Sequence, residues 1–157
     1  SPFMILYNIK IISNNLIKQI IISYYFKGKN INDFKKKAQY FSLNNIDPLI
    51  RKKAFEKISW HKANGHVVVV VSASIDLWLK PWCEKNNIEL ISTMLEIDDK
   101  IITGKTFQRN CYGPEKVKRI REIYNLSDYK YIYAYGNSRG DYEMLSIANE
   151  SHYKPFT

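Results

Sequence analysis

The sequence predicts an α/β protein with a parallel sheet, preceded by a helical region. Three observations carry this expectation. "HVVVVVSAS" sets five successive valines, Val67 to Val71, between a helix stop at Gly65 and small polar residues. An unalternating β-branched run of that kind reads as a parallel strand covered on both faces. Downstream, short apolar runs alternate with helix-period segments, the order that lays helices against a parallel sheet. Upstream, the apolar spacing is helical.

The elements follow in order. Ser13 can cap a helix reaching about Phe26, which Gly28 in "FKGKN" ends. Asn30 or Asn32 opens a second helix through "DFKKKAQYF". Pro48 stands near the start of a third, "PLIRKKAFEKISWHKANG", closed by Gly65 just past its last turn. In it Leu49, Ala54, Ile58 and Ala63 recur near helical spacing, while Arg51, Lys52, Lys53, Lys57 and Lys62 face water. Lys35–Lys37 form another exposed basic face. After the valine strand comes a helix over about Ile75–Lys85, with Pro81 inside it where proline can bend the axis. "IELIS" is a second strand, and "STMLEIDDKIITGKTF" a hairpin turning at Asp98–Asp99–Lys100 with Gly104 on its return. "PEKVKRIREIYN" is an amphipathic helix, "YKYIYAYG" a strand and Tyr142–Ala148 a short helix, with "SHYKPFT" as a short end. The expected division is a helical region over residues 1–47 and an α/β core over 48–157.

A chain of 157 residues, 45% apolar and 25% charged, has the composition of an ordinary soluble globular protein. The net charge of +9 points to an anionic partner: phosphate compounds, nucleic acid or an anionic membrane surface. No aromatic-basic platform supports nucleic acid. Cys83 and Cys111 make neither a disulfide framework nor a metal cluster, and read as structural cysteines of a reducing, intracellular setting. His61, His66 and His152 lack zinc-binding spacing and read as packing or solvated histidines. Trp78 and Trp82, one turn apart, read as helix packing. The opening "SPFMILYNIKIISNNLIKQIIISYYF" is apolar, but Asn8, Lys10, Asn14, Asn15 and Lys18 interrupt it too often for a membrane span, and no small-residue cleavage site follows a basic start. A buried helix is the first reading of it and an interfacial helix the second.

Ligands of open parallel sheets gather at the carboxyl ends of strands. After Val71, "SAS" offers the hydroxyls of Ser72 and Ser74 and free backbone N–H groups, an oxyanion cradle, although serines there also cap helices by default. After Tyr135, "GNSRGD" fits a capping arrangement of Ser138 with Asp141, which leaves Asn137 unexplained. Lys116 opens the basic helix of "CYGPEKVKRI"; alone it would be a solvated lysine beside Lys118, Arg119 and Arg121.

Taken in this order, a strand ending in Ser72, a helix opened by Lys116 and a strand ending in "GNSRGD" resemble the haloacid dehalogenase superfamily. Within it the chain looks like subfamily IB, the phosphoserine-phosphatase-like members. The resemblance implies a Rossmann-like three-layer core with a helical cap. It gives the Ser72 hydroxyl, with the backbone N–H groups of Ala73 and Ser74, to the transferring phosphoryl oxygens. It gives Lys116 to the charge of phosphate and nucleophile, and Asn137 and Asp141 to Mg²⁺, a hard cation that wants oxygen ligands. The implied activity is a Mg²⁺-dependent phosphomonoester hydrolase working through an aspartyl-phosphate, cytoplasmic, on a small substrate such as phosphoserine. One alternative is a phosphatidylglycerophosphate-type lipid phosphatase, touching the anionic inner face of the membrane peripherally. Another is an inactive phosphate-binding or interaction module.

Two departures qualify the match. The family opens with D-x-D, whose first aspartate is the nucleophile and second the general acid/base; no D-x-D occurs in the 157 residues. That motif and the first core strand are expected upstream of residue 1, which makes the chain by itself inactive and of low stability. Second, Asn137 stands where the family has an acid, so its amide oxygen can ligate Mg²⁺ only without negative charge.

Overall fold

The computed structural model describes residues 14–156. Helix α1 (Asn14–Phe26), α2 (Ile31–Asn45) and α3 (Lys52–Ala63) come first; a cap at Ser13 lies outside the described residues. Asn30 caps α2, its side chain accepting from the Asn32 N–H. Pro48 sits not in α3 but in a separate 3₁₀ turn, Asp47–Leu49, because Ile50 and Arg51 are extended before the helix starts. Gly65, at φ 72°, closes α3 as expected: its N–H and that of His66 donate to the carbonyls of Lys62 and His61.

The second half runs β1 (Val69–Ile75), α4 (Asp76–Lys85), β2 (Glu89–Thr93), β3 (Leu95–Asp98), β4 (Ile101–Thr106), α5 (Pro114–Ile123), β5 (Tyr133–Gly136), α6 (Tyr142–Ser146) and β6 (Glu150–Tyr153). Strands β1 and β2 pair in parallel, Val69–Ser72 against Glu89–Ser92, and β5 pairs in parallel with β6. The α/β class with parallel strands therefore holds. Val67 and Val68 precede the pairing, and Val67 stays 53% exposed. The closing "SHYKPFT" is not merely an end: together with Glu150 it supplies β6. Backbone bonds to β5 form this strand where local propensity is weak. Hairpin β3–β4 turns at Asp99 and Lys100, both at positive φ (41° and 66°), the two-residue geometry that matches strand twist.

Two apolar clusters hold these pieces. Ile22, Ile31, Ile75, Leu95 and Ile102, with Phe26, Phe34, Leu77 and Trp78 packed on them, join α1 and α2 to the hairpin and the end of β1. Ile46, Trp82, Cys83 and Ile88 pack with Ile58, Val68, Val70, Leu79 and Leu90. The α1–α2 linker also pairs with β4: the Gly28 N–H donates to Ile102 O at 2.8 Å, and the Ile31 N–H to Lys100 O at 2.8 Å. Gly104 permits α1 to lie this close, since a Cβ there would stand 3.1 Å from Ser23 Cα. Cys83 and Cys111 are free and buried, and burial pushes the Cys83 thiol up to about 11, as suits structural cysteines. No described helix is long and apolar enough to cross a membrane.

The three histidines converge beside β5. His61 Nδ1 lies 2.8 Å from His66 Nδ1, and His61 Nε2 lies 2.9 Å from the Tyr135 hydroxyl, whose ring stacks on His152. One proton serves the His61–His66 contact; a second would force two N–H groups together. Burial, then the charges of His66 and Lys57, lower the His61 pKa against a weaker pull from Glu150. The unfolded chain therefore takes up a proton near pH 6.5, where the folded chain resists it. Stability contributed by neutral His61 is present above about 6.5 and lost as pH falls below it. Denaturant midpoints measured from pH 7.5 down to 5 should fall in the wild type and fall less in His61→Gln.

Candidate active site

The site is built at the carboxyl end of β1. Helix α5 starts at Gly113, whose φ of 59° suits glycine, followed by Pro114 with its preset φ in the first turn. This entry turns Lys116 inward, where it is buried rather than solvated. Its Nζ donates to Val71 O at 2.8 Å and to Asp141 Oδ1 at 2.6 Å; the two side chains are 7% and 8% exposed. Asp141 Oδ2 accepts from the Asn137 N–H (3.0 Å), the Ser138 N–H (3.0 Å) and the Ser138 hydroxyl (2.9 Å). The capping box expected from Ser138 and Asp141 is present, in a 3₁₀ turn over Arg139–Asp141. Burial works to raise the Asp141 pKa, but the Lys116 hydrogen bond and charge, with the Ser138 donors, outweigh it and hold the carboxyl below its usual range.

Ser72, next to Val71, accepts from the Ser74 N–H at 3.1 Å. Neither serine caps α4, whose N-cap position is Ile75 with no side-chain bond. The Ser72 hydroxyl keeps its proton to donate. The structure thus links Lys116 and Asp141 directly and ties both to Val71, next to Ser72–Ala73–Ser74. These three do not form the loop expected after the strand but continue β1 to Ile75, across a shift in its register with β2. The Asn137 side chain is exposed at the rim; its backbone, not its amide, meets Asp141.

Three buried or half-buried residues of this region escaped sequence reasoning. Lys18 of α1 donates to Ala73 O and, at 2.8 Å, to Asn110 Oδ1. Asn110 Oδ1 also accepts from the Thr93 hydroxyl at 3.0 Å, which in turn accepts from the Cys111 N–H at 3.0 Å. Lys18 signalled itself only as a cation in an apolar helix, and Asn110 carried no local signal. Arg119, read as solvated, is 4% exposed: it donates to Ser92 O (2.6 Å) and Arg109 O and pairs with Glu115 (3.2 Å). It fastens α5 to the end of β2. Arg119→Ala is expected to cost about 3 kcal/mol in a denaturant titration, since it orphans two carbonyls and a half of a buried pair.

Among the described residues no group of three or more His, Cys, Asp or Glu is placed to hold a metal. Asp141 has both oxygens engaged, by Lys116 and by the capping donors, which leaves Asn137 Oδ1 as the exposed oxygen at the rim. A magnesium ion takes about six oxygens. The described residues alone do not fit one.

The family model described as haloacid dehalogenase-like hydrolase matches residues 1–146. The chain belongs to the haloacid dehalogenase-like hydrolases. It is 33% identical over 142 residues to protein CicA of Caulobacter vibrioides, covering 89% of this chain and 64% of CicA. It is also 33% identical over 109 residues to a probable phosphatase of Mycobacterium tuberculosis, covering 68% of this chain and 38% of that one. The chain therefore spans under two thirds of the length of these relatives. A protein of unknown function from Bordetella pertussis shares the fold at a TM-score of 0.82, 19% identity, 94% of this chain and 69% of that one. A probable phosphoserine phosphatase from Vibrio cholerae shares it at 0.72, 15% identity, 97% of this chain and 46% of that one. The haloacid dehalogenase-like fold, expected from the order of motifs, is what these likenesses show.

Proposed function

We propose that the whole protein is a cytoplasmic phosphatase that hydrolyses a small phosphate monoester of the phosphoserine type. The observation that carries this reading is the Lys116 ammonium, held against β1 by Val71 O and Asp141 beside Ser72–Ser74. Phosphoryl transfer needs positioning and charge neutralisation around three equatorial oxygens. Ser72 donates its hydroxyl to one of them, Ala73 offers its backbone N–H, the Ser74 N–H orients the Ser72 hydroxyl by donating to its oxygen, and Lys116 offsets the charge. Asp141 positions Lys116 and the "GNSRGD" turn.

In this reading the nucleophilic carboxylate is that of the family's D-x-D motif, which the 157 residues do not contain. Among the described residues β1 is paired only with β2 and β5 only with β6, while Lys116 bridges Val71 of β1 and Asp141 in the turn after β5. That arrangement suits a further strand between them. The carboxylate attacks phosphorus as the ester P–O bond breaks, the second aspartate protonates the leaving oxygen, and water then cleaves the aspartyl-phosphate. Mg²⁺, were it bound, would supply charge neutralisation, and Asn137, with its exposed amide oxygen at the rim, is the described residue that would face it. Residues 1–47 act as the cap on the core 48–157, a role supported by the cluster of Ile22, Ile31 and Ile102.

The test is phosphate release by the full-length protein from an aryl phosphate with Mg²⁺. Lys116→Ala should lower kcat by about 10³-fold. Unchanged turnover in that variant removes the role assigned to Lys116. No release by the wild type from any phosphomonoester favours the binding-module reading instead.

A further inference from the structure

The charge of Lys18 has no use in the roles given above. Its ammonium is half-buried, and its two acceptors, Ala73 O and Asn110 Oδ1, are both neutral. Among the described residues no carboxylate lies within ion-pair distance of it, unlike Lys116, which has Asp141. A cation desolvated beside neutral oxygens costs free energy, and the nearest cause for keeping one here is the stretch of β1 it grips. The Ala73 carbonyl and the Ser74 N–H belong to one planar peptide, with the two groups pointing in opposite directions. An ammonium on the carbonyl side fixes that plane and polarises it, which strengthens the N–H on the other side as a donor. That N–H is the one on Ser72 Oγ.

We propose that Lys18 is a positioning residue of the phosphate cradle: from α1 it holds the Ala73–Ser74 peptide so that its N–H stays on Ser72 Oγ and the Ser72 hydroxyl proton is left for an incoming phosphate, and it adds positive potential behind that hydroxyl. The inference rests on the cradle reading of Ser72–Ser74. Asn110 completes the device. Through Thr93 and the Cys111 N–H it connects Lys18 to the end of β2 and the segment leading into α5, so three segments of the site share one polar chain.

Burial lowers the Lys18 pKa to about 8, with the facing Cys111 thiol working weakly the other way. That thiol is pushed up by its own burial, against Arg119, Lys116 and Lys18 and with Glu115, and so stays neutral where Lys18 titrates. As pH rises through about 8 Lys18 loses its charge, and the cradle loses its grip on phosphate.

The experiment is calorimetric binding of inorganic phosphate to the full-length protein, from about pH 7.5 to about pH 9, where the lysine changes charge. Wild-type affinity should fall with rising pH across that range. Lys18→Arg, always charged, should bind as the wild type does at pH 7.5 and hold its affinity to pH 9. Lys18→Met should bind about tenfold more weakly at pH 7.5, with a flat profile. If Lys18→Met does not fold, the contrast between wild type and Lys18→Arg decides alone. Equal affinity and equal profiles in all variants, with only the unfolding midpoint changed, overturn the proposal. A wild type that binds phosphate but turns over no phosphomonoester fails the phosphatase reading while the same comparison still judges Lys18. A wild type that binds no phosphate overturns both.

Discussion

Gly136→Ala is expected to destabilise the protein by about 3 kcal/mol and to pull Asp141 away from Lys116. A Cβ at Gly136 would stand 2.5 Å from Asp141 Cβ, closer than real Cβ atoms come, and a tight 3.1 Å from its Cγ. The obstacle is not the far end of a flexible chain. Asp141 is held by Lys116 at one oxygen and by Asn137 and Ser138 at the other, so relief requires moving the "GNSRGD" turn itself. Gly65→Ala is the control: nothing lies within 4 Å of a Cβ there, and only the positive φ of 72° resists. It should lose about 1 kcal/mol, the cost of a left-handed residue with a side chain. Denaturant titrations of both variants check the ranking. A Gly136→Ala midpoint equal to the wild type would mean that the strand and the turn do not approach this closely.

The turn around Gly136 also shows what could be read from sequence and what could not. The capping pair Ser138–Asp141 is a four-residue pattern, so its geometry was legible from spacing. The valine run and the Asp98–Lys100 turn were legible for the same reason, since each is decided by neighbouring residues. The inward turn of Lys116 was not visible in its neighbours; only the order of distant motifs singled it out. Arg119 reads as one more charge on a basic helix until the end of β2 meets it, and only tertiary placement supplies the carbonyls of Ser92 and Arg109. Strand β6 has the same character, because β5 provides the template its own sequence lacks. Lys18 and Asn110 lie 92 positions apart, beyond any periodicity. Pro48 misled in a milder way: proline marks the first turn of a helix, and here the turn is 3₁₀ and stops.

Asp141→Ala should be among the most destabilising single changes in the chain, at about 4 kcal/mol, and more costly than Lys116→Met at about 2 kcal/mol. The asymmetry follows from what each leaves behind. Without Asp141, the Lys116 ammonium stays 6% exposed with Val71 O as its remaining acceptor, and the turn loses its capping acceptor as well. Without Lys116, Asp141 still accepts from Asn137 and twice from Ser138, so its charge remains solvated by protein donors. The double variant Asp141→Ala, Lys116→Met should then be more stable than Asp141→Ala alone, since removing the orphaned cation cancels its burial cost. The pH dependence has a fixed sign. Because the folded carboxyl titrates below its usual range, its contribution is whole above about pH 4 and is lost as pH falls through the folded value. Asp141→Asn should remove that acid-limb slope while keeping the shape of the turn. Additive losses in the double variant would show that Lys116 and Asp141 are neighbours without being partners, and the roles assigned to Lys116 and Asp141 would lose their electrostatic basis.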